Sequence, residues 1–211
     1  VCLDADCLVS VNYLTELENQ VDENTRVGHF SFEHNYVDID NEQMRNGIVS
    51  YELHLRYHNL GLKYSGFPFA QHTIGSCMVV RGDVYAKMGG MNQRKAGEDF
   101  YFMHKLYPGG GFVHIRNAKV FPSARISDRV PFGTGRAQGS WIHENKTELM
   151  TYHPNTYKVL KEFIEALFVE DNTGMKKYPA EIRDFLKQNS FEEKLRNSKI
   201  HSTNSNSFRN S

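Results

Sequence analysis

The sequence is short of cysteine: three in 211 residues, Cys2, Cys7 and Cys77, with no CxxC among them. An odd set without paired spacing indicates neither a disulfide framework nor a structural zinc site. A reducing, cytoplasmic compartment fits that usage. An excess of charge of one sign is also missing, because 25 Lys+Arg balance 25 Asp+Glu. Binding to nucleic acid through bulk charge needs a basic excess or stripe, so that class is excluded. Polybasic attachment to a membrane falls with it. The apolar runs are only a few residues long, so neither a membrane span nor a signal-peptide core is present. Any membrane contact would be peripheral, at the inner face. What the sequence does have is 39% hydrophobic and 12% aromatic residues, enough to fill a core.

An initiating Met is absent too. Val1-Cys2-Leu3 reads as the tail of a buried strand, and a strand needs neighbours that nothing upstream supplies. The expectation is the C-terminal part of a longer domain, its sheet incomplete at the N-terminus. An edge strand that simply starts the chain is the alternative.

Val9 to Asn19 reads as helix, and His29 to His34 alternates as a strand. From Asn41 to Leu60 the apolar residues Met44, Ile48, Tyr51 and Leu55 recur at helical spacing, with Gly61 as the expected stop. Met78 to Arg81 reads as a strand and Asp83 to Met88 as a helical turn closed by Gly89-Gly90. Glu98 to Tyr107 reads as a helix, ended by Pro108 and the glycines 109–111. Phe112 to Ile115 and Ala118 to Phe121 are strand-like. Residues 122–139 read as one long functional loop. Helices are expected at Tyr157 to Val169 and at Ala180 to Gln188, the latter with Pro179 at its first position. From Arg196 the Ser/Asn-rich chain reads as a disordered tail. Alternating strands and helices make the fold class α/β. Residues 1–140 are assigned to the main domain, 141–195 to a C-terminal helical extension and 196–211 to the tail.

Three constellations carry potential chemistry. Asp4 and Asp6 follow the opening strand at i and i+2, which points both carboxylates one way in extended backbone. Such a pair at a strand end suits a hard divalent cation that also holds phosphates, although D-x-D also reads as a solvated turn. Glu98-Asp99 opens a helix after Lys95-Ala96-Gly97. Acids there are commonly caps favoured by the macrodipole, and the same place keeps a carboxylate ionised for general-base work. The 122–139 segment concentrates Arg125, Arg129 and Arg136 among glycines, a pattern that fits phosphate and equally an ordinary polar loop. His54 and His58, four apart on a helix, lack a third ligand and read as a solvated face. His34 reads as a strand-end histidine, and Tyr51, Tyr57, Phe163 and Phe168 as core.

Taken together, LDADC at 3–7, GSCMVVRGDVYAKMGGMN at 75–92, GEDFYFMHKLY at 97–107 and the strand pair at 112–121 resemble a family 2 glycosyltransferase of the GT-A fold. The resemblance covers residues 1 to about 140 and implies a mixed sheet flanked by helices, a nucleotide-diphospho-sugar transferase architecture, with the C-terminal helices added. It implies an inverting hexosyltransferase-like enzyme acting in polysaccharide biosynthesis, with a nucleotide-diphospho-sugar donor and a saccharide or glycolipid acceptor. By resemblance, Asp6 is the direct ligand of Mn2+ or Mg2+ at the donor diphosphate, with Asp4 positioned toward ribose or metal. Gly75 and Ser76 lie beside the donor sugar, and Arg125, Arg129 or Arg136 assists the leaving group. By the same resemblance Asp99 is the base, with Glu98 orienting it or contacting sugar. The sequence departs from the family in two ways. Phe121 is followed by Pro122 and Ser123 where many members place a metal-binding histidine, and the nucleoside-binding half is absent. The rival readings are a non-catalytic carbohydrate- or partner-binding remnant and a metal-dependent nucleotidyltransferase.

Overall fold

The computed structural model describes residues 1–35, 39–92, 97–169 and 174–201. Its elements, in chain order, are β1 (Leu8–Val9), α1 (Tyr13–Gln20), β2 (Val27–Phe32), α2 (Glu42–Tyr64), β3 (Met78–Val80), α3 (Gly82–Lys87), α4 (Glu98–Leu106), β4 (Phe112–Phe121), α5 (Thr134–His143), α6 (Pro154–Leu167), α7 (Ala180–Gln188) and α8 (Phe191–His201). The four strands form one mixed sheet in the order β1-β4-β2-β3. β2 runs parallel to β4, while β1 on β4 and β3 on β2 are antiparallel. The class is α/β, as the alternation of elements indicates.

β4 unites the two strand-like pieces of sequence. Its register against β2 shifts between Phe30 and Ser31: Phe30 faces Ile115, and Ser31 faces Lys119. The extra residues on β4 form a bulge there, which lets one strand carry a break in its hydrophobic pattern. The core lies under this seam, where Tyr13, Phe30, Phe32, Cys77, Ile115, Ala118 and Val120 are buried together. Tyr13 stacks on Phe30 with ring centroids 4.0 Å apart, anchoring α1 to the sheet.

Several sequence expectations are corrected. Residues 1–3 are not a strand. The Cys2 N–H donates to the Met78 carbonyl at 2.9 Å, but Val1 and Leu3 remain exposed, so no ladder forms. The strand is instead β1, just after the acidic turn, and α1 begins only at Tyr13. α2 runs through Gly61 to Tyr64. A Cβ at residue 61 would lie 2.5 Å from the Tyr157 ring, so this glycine admits an aromatic neighbour and does not end a helix. The long loop stops at Gly133, because α5 buries Gln138 and Trp141 at helical spacing. Regular structure continues past Arg196 in α8 as far as His201. Phe168, read as core, is 44% exposed. Pro179 stands just before α7 as its cap, not inside it. Lys95-Ala96, read as a flexible approach to α4, and positions 202–211 of the expected tail lie outside the described residues.

The chain forms two compact units: Val1–Tyr57 with Gln71–Thr151, and His58–Ala70 with the chain from Tyr152 onward. The first contains the whole sheet and α5. In the second, the Tyr157 hydroxyl meets His58 Nδ1 at 2.9 Å, and Phe163, Tyr178 and Phe191 form an aromatic cluster with centroids 5.4–5.5 Å apart.

Candidate active site

The chemistry-bearing residues all fall in the first unit. Asp4 to Cys7 form a turn closed by the Cys7 N–H on the Asp4 carbonyl at 3.0 Å. The turn, not an extended strand, brings the side chains together. Carboxylate oxygens of Asp4 and Asp6 and the Cys7 sulfur lie within 4.8 Å of one another. Two exposed carboxylates fit a hard divalent cation. The thiol adds little to that fit, since burial pushes Cys7 up and keeps it protonated. Asp6 already holds a cationic partner, accepting from Arg125 Nε at 2.5 Å.

Asp99 stands in the first turn of α4, after Gly97 in left-handed backbone (φ 74°). Its Oδ1 accepts the Phe100 N–H at 2.7 Å and its Oδ2 the Gly75 N–H at 3.0 Å. Burial pushes the Asp99 carboxyl above the usual range and Glu98 adds to the rise, while the two N–H donors oppose it. Each oxygen retains a lone-pair direction for a substrate hydroxyl.

The short 3-10 turn Gly75–Cys77 connects the two acidic motifs. Gly75 binds Asp99, the Met78 carbonyl just after the turn accepts the Cys2 N–H at 2.9 Å, and Cys7 packs against the buried cluster that contains Cys77. Burial pushes the Cys77 thiol to about 12, so it stays protonated. Residues near 5, 76 and 99 are thereby drawn to one region of the sheet.

The three arginines separate. Arg125 sits on Asp6, Arg136 pairs with Asp128 at 3.4 Å from within α5, and Arg129 is exposed on the loop. A cavity of about 340 Å³ opens beside Asp6 and Arg125, walled by Leu8, Ile39, Met44 and Phe121. Its frame depends on Gln138, which is fully buried and donates from Nε2 to the carbonyls of Met44 at 2.9 Å and Ala124 at 3.2 Å. Sequence reasoning missed Gln138 by placing it in a loop. The signal was its i, i+3 spacing to Trp141, the chain's one tryptophan. It also missed the engagement of His34 with Glu52 and Thr134, for which no local pattern exists. His54 meets Thr151 at 2.8 Å, so it is bonded where a solvated face was expected.

The mixed sheet thus carries an acidic turn just before β1 and a second acidic pair in the first turn of α4. The family model described as "Glycosyl transferase family group 2" matches residues 1–190, and the chain belongs to that family. No curated protein and no solved structure matches the chain. Among the described residues, no helix is long and apolar enough to cross a membrane.

Proposed function

We propose that this chain performs inverting glycosyl transfer from a nucleotide-diphospho-sugar to a hydroxyl of a saccharide or glycolipid acceptor. The observation that carries the reading is the link between the acidic motifs. Gly75 binds the Asp99 carboxylate, while Cys7 of the Asp4–Cys7 turn packs against the buried cluster that contains Cys77, at the other end of the same short turn. Two carboxylate sites with different surroundings, one exposed and cation-paired, the other part-buried with a raised pKa, suit opposite ends of one displacement.

Asp99 accepts the proton of the acceptor hydroxyl as its oxygen attacks the anomeric carbon. The bond from that carbon to the diphosphate oxygen breaks on the opposite face, and the nucleoside diphosphate leaves with the electron pair. Glu98 disfavours the charged form of Asp99 and so strengthens it as a base. Asp6 and Asp4 would hold Mn2+ or Mg2+, which when bound supplies charge to the leaving diphosphate. Arg125, placed on Asp6, reaches the same phosphates, with Arg129 and Arg136 in the following segment.

Calorimetric titration with a panel of nucleotide-sugars, followed by transfer assays, tests this reading. Asp99→Asn is expected to lose about 10²–10⁴ in rate while donor binding persists. Asp6→Asn is expected to weaken both Mn2+ and donor. Parental turnover in Asp99→Asn refutes the base assignment, and a chain that binds no donor refutes the enzyme reading in favour of a binding remnant.

A further inference from the structure

Exposed aromatic rings gather at one place in the first unit. Phe100 and Tyr101 of α4 are 45% and 46% exposed, and Phe132, just before the α5 cap Gly133, is 56% exposed. Such rings carry large apolar areas, and a group of them left in water marks a surface that meets something. A Cβ built on Gly97 would lie 3.2 Å from Phe132 Cζ and 3.8 Å from Tyr101 Cε2. Both rings therefore converge on the residue that caps α4, two positions before Asp99. Phe100 meets Tyr101 edge-on, with ring centroids 5.4 Å apart.

α4 decides which way this patch faces. Its Phe102, Met103 and Leu106 are buried, so the helix turns Phe100 and Tyr101 to the open side. Side chains lean towards a helix N-terminus and residues three apart share a face, which brings Tyr101 alongside Glu98. Gly97 keeps the two rings close, because a side chain there would press on Phe132. The result is an exposed aromatic patch bordered by two carboxylates, Glu98 and Asp99, in the first turn of α4.

We propose that Tyr101 and Phe132 form a saccharide subsite that holds a pyranose ring of the acceptor beside Asp99. A pyranose has an apolar C–H face that stacks on aromatic rings, and hydroxyls at its rim that donate to carboxylates such as Glu98. The proposal rests on Asp99 being the base, because the hydroxyl that gives up its proton fixes where the acceptor ring lies. A lipid surface fits the patch poorly. Its acyl chains would bury Glu98 and Asp99 unpaired, and anionic headgroups would meet charge of their own sign.

The test is an NMR titration of the full chain with cellotetraose, chitotetraose and maltotetraose, with melting curves alongside. At least one of the three is expected to bind. Phe132→Ala and Tyr101→Ala should each raise its Kd by roughly three- to tenfold, while Phe132→Tyr and Tyr101→Phe, which keep a ring, should hold it near the parent's. Phe185→Ala, at an equally exposed ring in α7, should leave binding unchanged. A parent that binds none of the three overturns the proposal, as does parental affinity in folded Phe132→Ala. So does a parent that binds vesicles of phosphatidylcholine and phosphatidylglycerol through these rings in place of the sugars. If Tyr101→Ala does not fold, the Phe132 pair of variants decides alone. Failure of the base reading shows separately, as sugar transfer surviving in Asp99→Asn.

Discussion

The Gly75 N–H donates to Asp99 Oδ2 at 3.0 Å, and a Cβ built on residue 75 would lie 3.0 Å from that same oxygen and 3.1 Å from the Asp99 Cβ. The backbone can approach the carboxylate this closely because residue 75 has no side chain. Gly75→Ala should displace Asp99 by a few tenths of an ångström. We expect about 1–3 kcal/mol of overpacking cost and a larger fall in kcat than in donor affinity. Chemical denaturation and steady-state kinetics check the two parts.

The raised pKa of Asp99 has a definite sign. A base must be ionised, so the acid limb of kcat/KM should lie above that of an ordinary aspartate. For stability the sense reverses: a carboxyl raised in the folded state favours folding below its unfolded pKa, and that contribution is lost as pH rises through the folded value. Glu98→Gln removes a neighbouring negative charge and should move the limb to lower pH. A limb unchanged by Glu98→Gln would show that Asp99 does not control it.

Glu52 titrates in the opposite sense. Its carboxyl is held down from 4.5 to about 2. The resulting stabilisation is present above the unfolded value and lost as pH falls from about 4.5 towards 2. Unfolding free energies measured across that window should decline in the parent, and the Glu52-dependent part of the decline should vanish in Glu52→Gln.

In the second unit, Gly61 sits under Tyr157, where a Cβ would come within 2.5 Å of the ring. Alanine improves helix propensity by about 1 kcal/mol, but the clash with a ring also bonded to His58 opposes it. Gly61→Ala should destabilise by about 1–3 kcal/mol, read by urea unfolding.

The exposed Arg125–Asp6 pair contributes little to folding, about 0–1 kcal/mol. Arg125→Met should therefore leave the melting temperature nearly unchanged. Donor binding should weaken, and calorimetry with a nucleotide-sugar measures it.

The sequence by itself determined the α/β class, the limits of α4, α7 and β4 to within a residue or so, and the two acidic motifs. Each of these rests on local signals: periodicity, a glycine or proline at an end, acids in a first helical turn. Local signals also misled. Gly61 resembles a helix stop because backbone propensity carries no knowledge of Tyr157, and residues 122–139 resemble one loop because glycines hide the buried pair Gln138 and Trp141. Only the tertiary structure decided that Gly75 meets Asp99, that Arg125 alone of the three arginines meets Asp6, and that His34 reaches Glu52 and Thr134. Those contacts are hydrogen bonds between side chains and backbone groups far apart in the chain. Such a bond depends on distance and angle in three dimensions, and it leaves no period or composition in the sequence from which to read it.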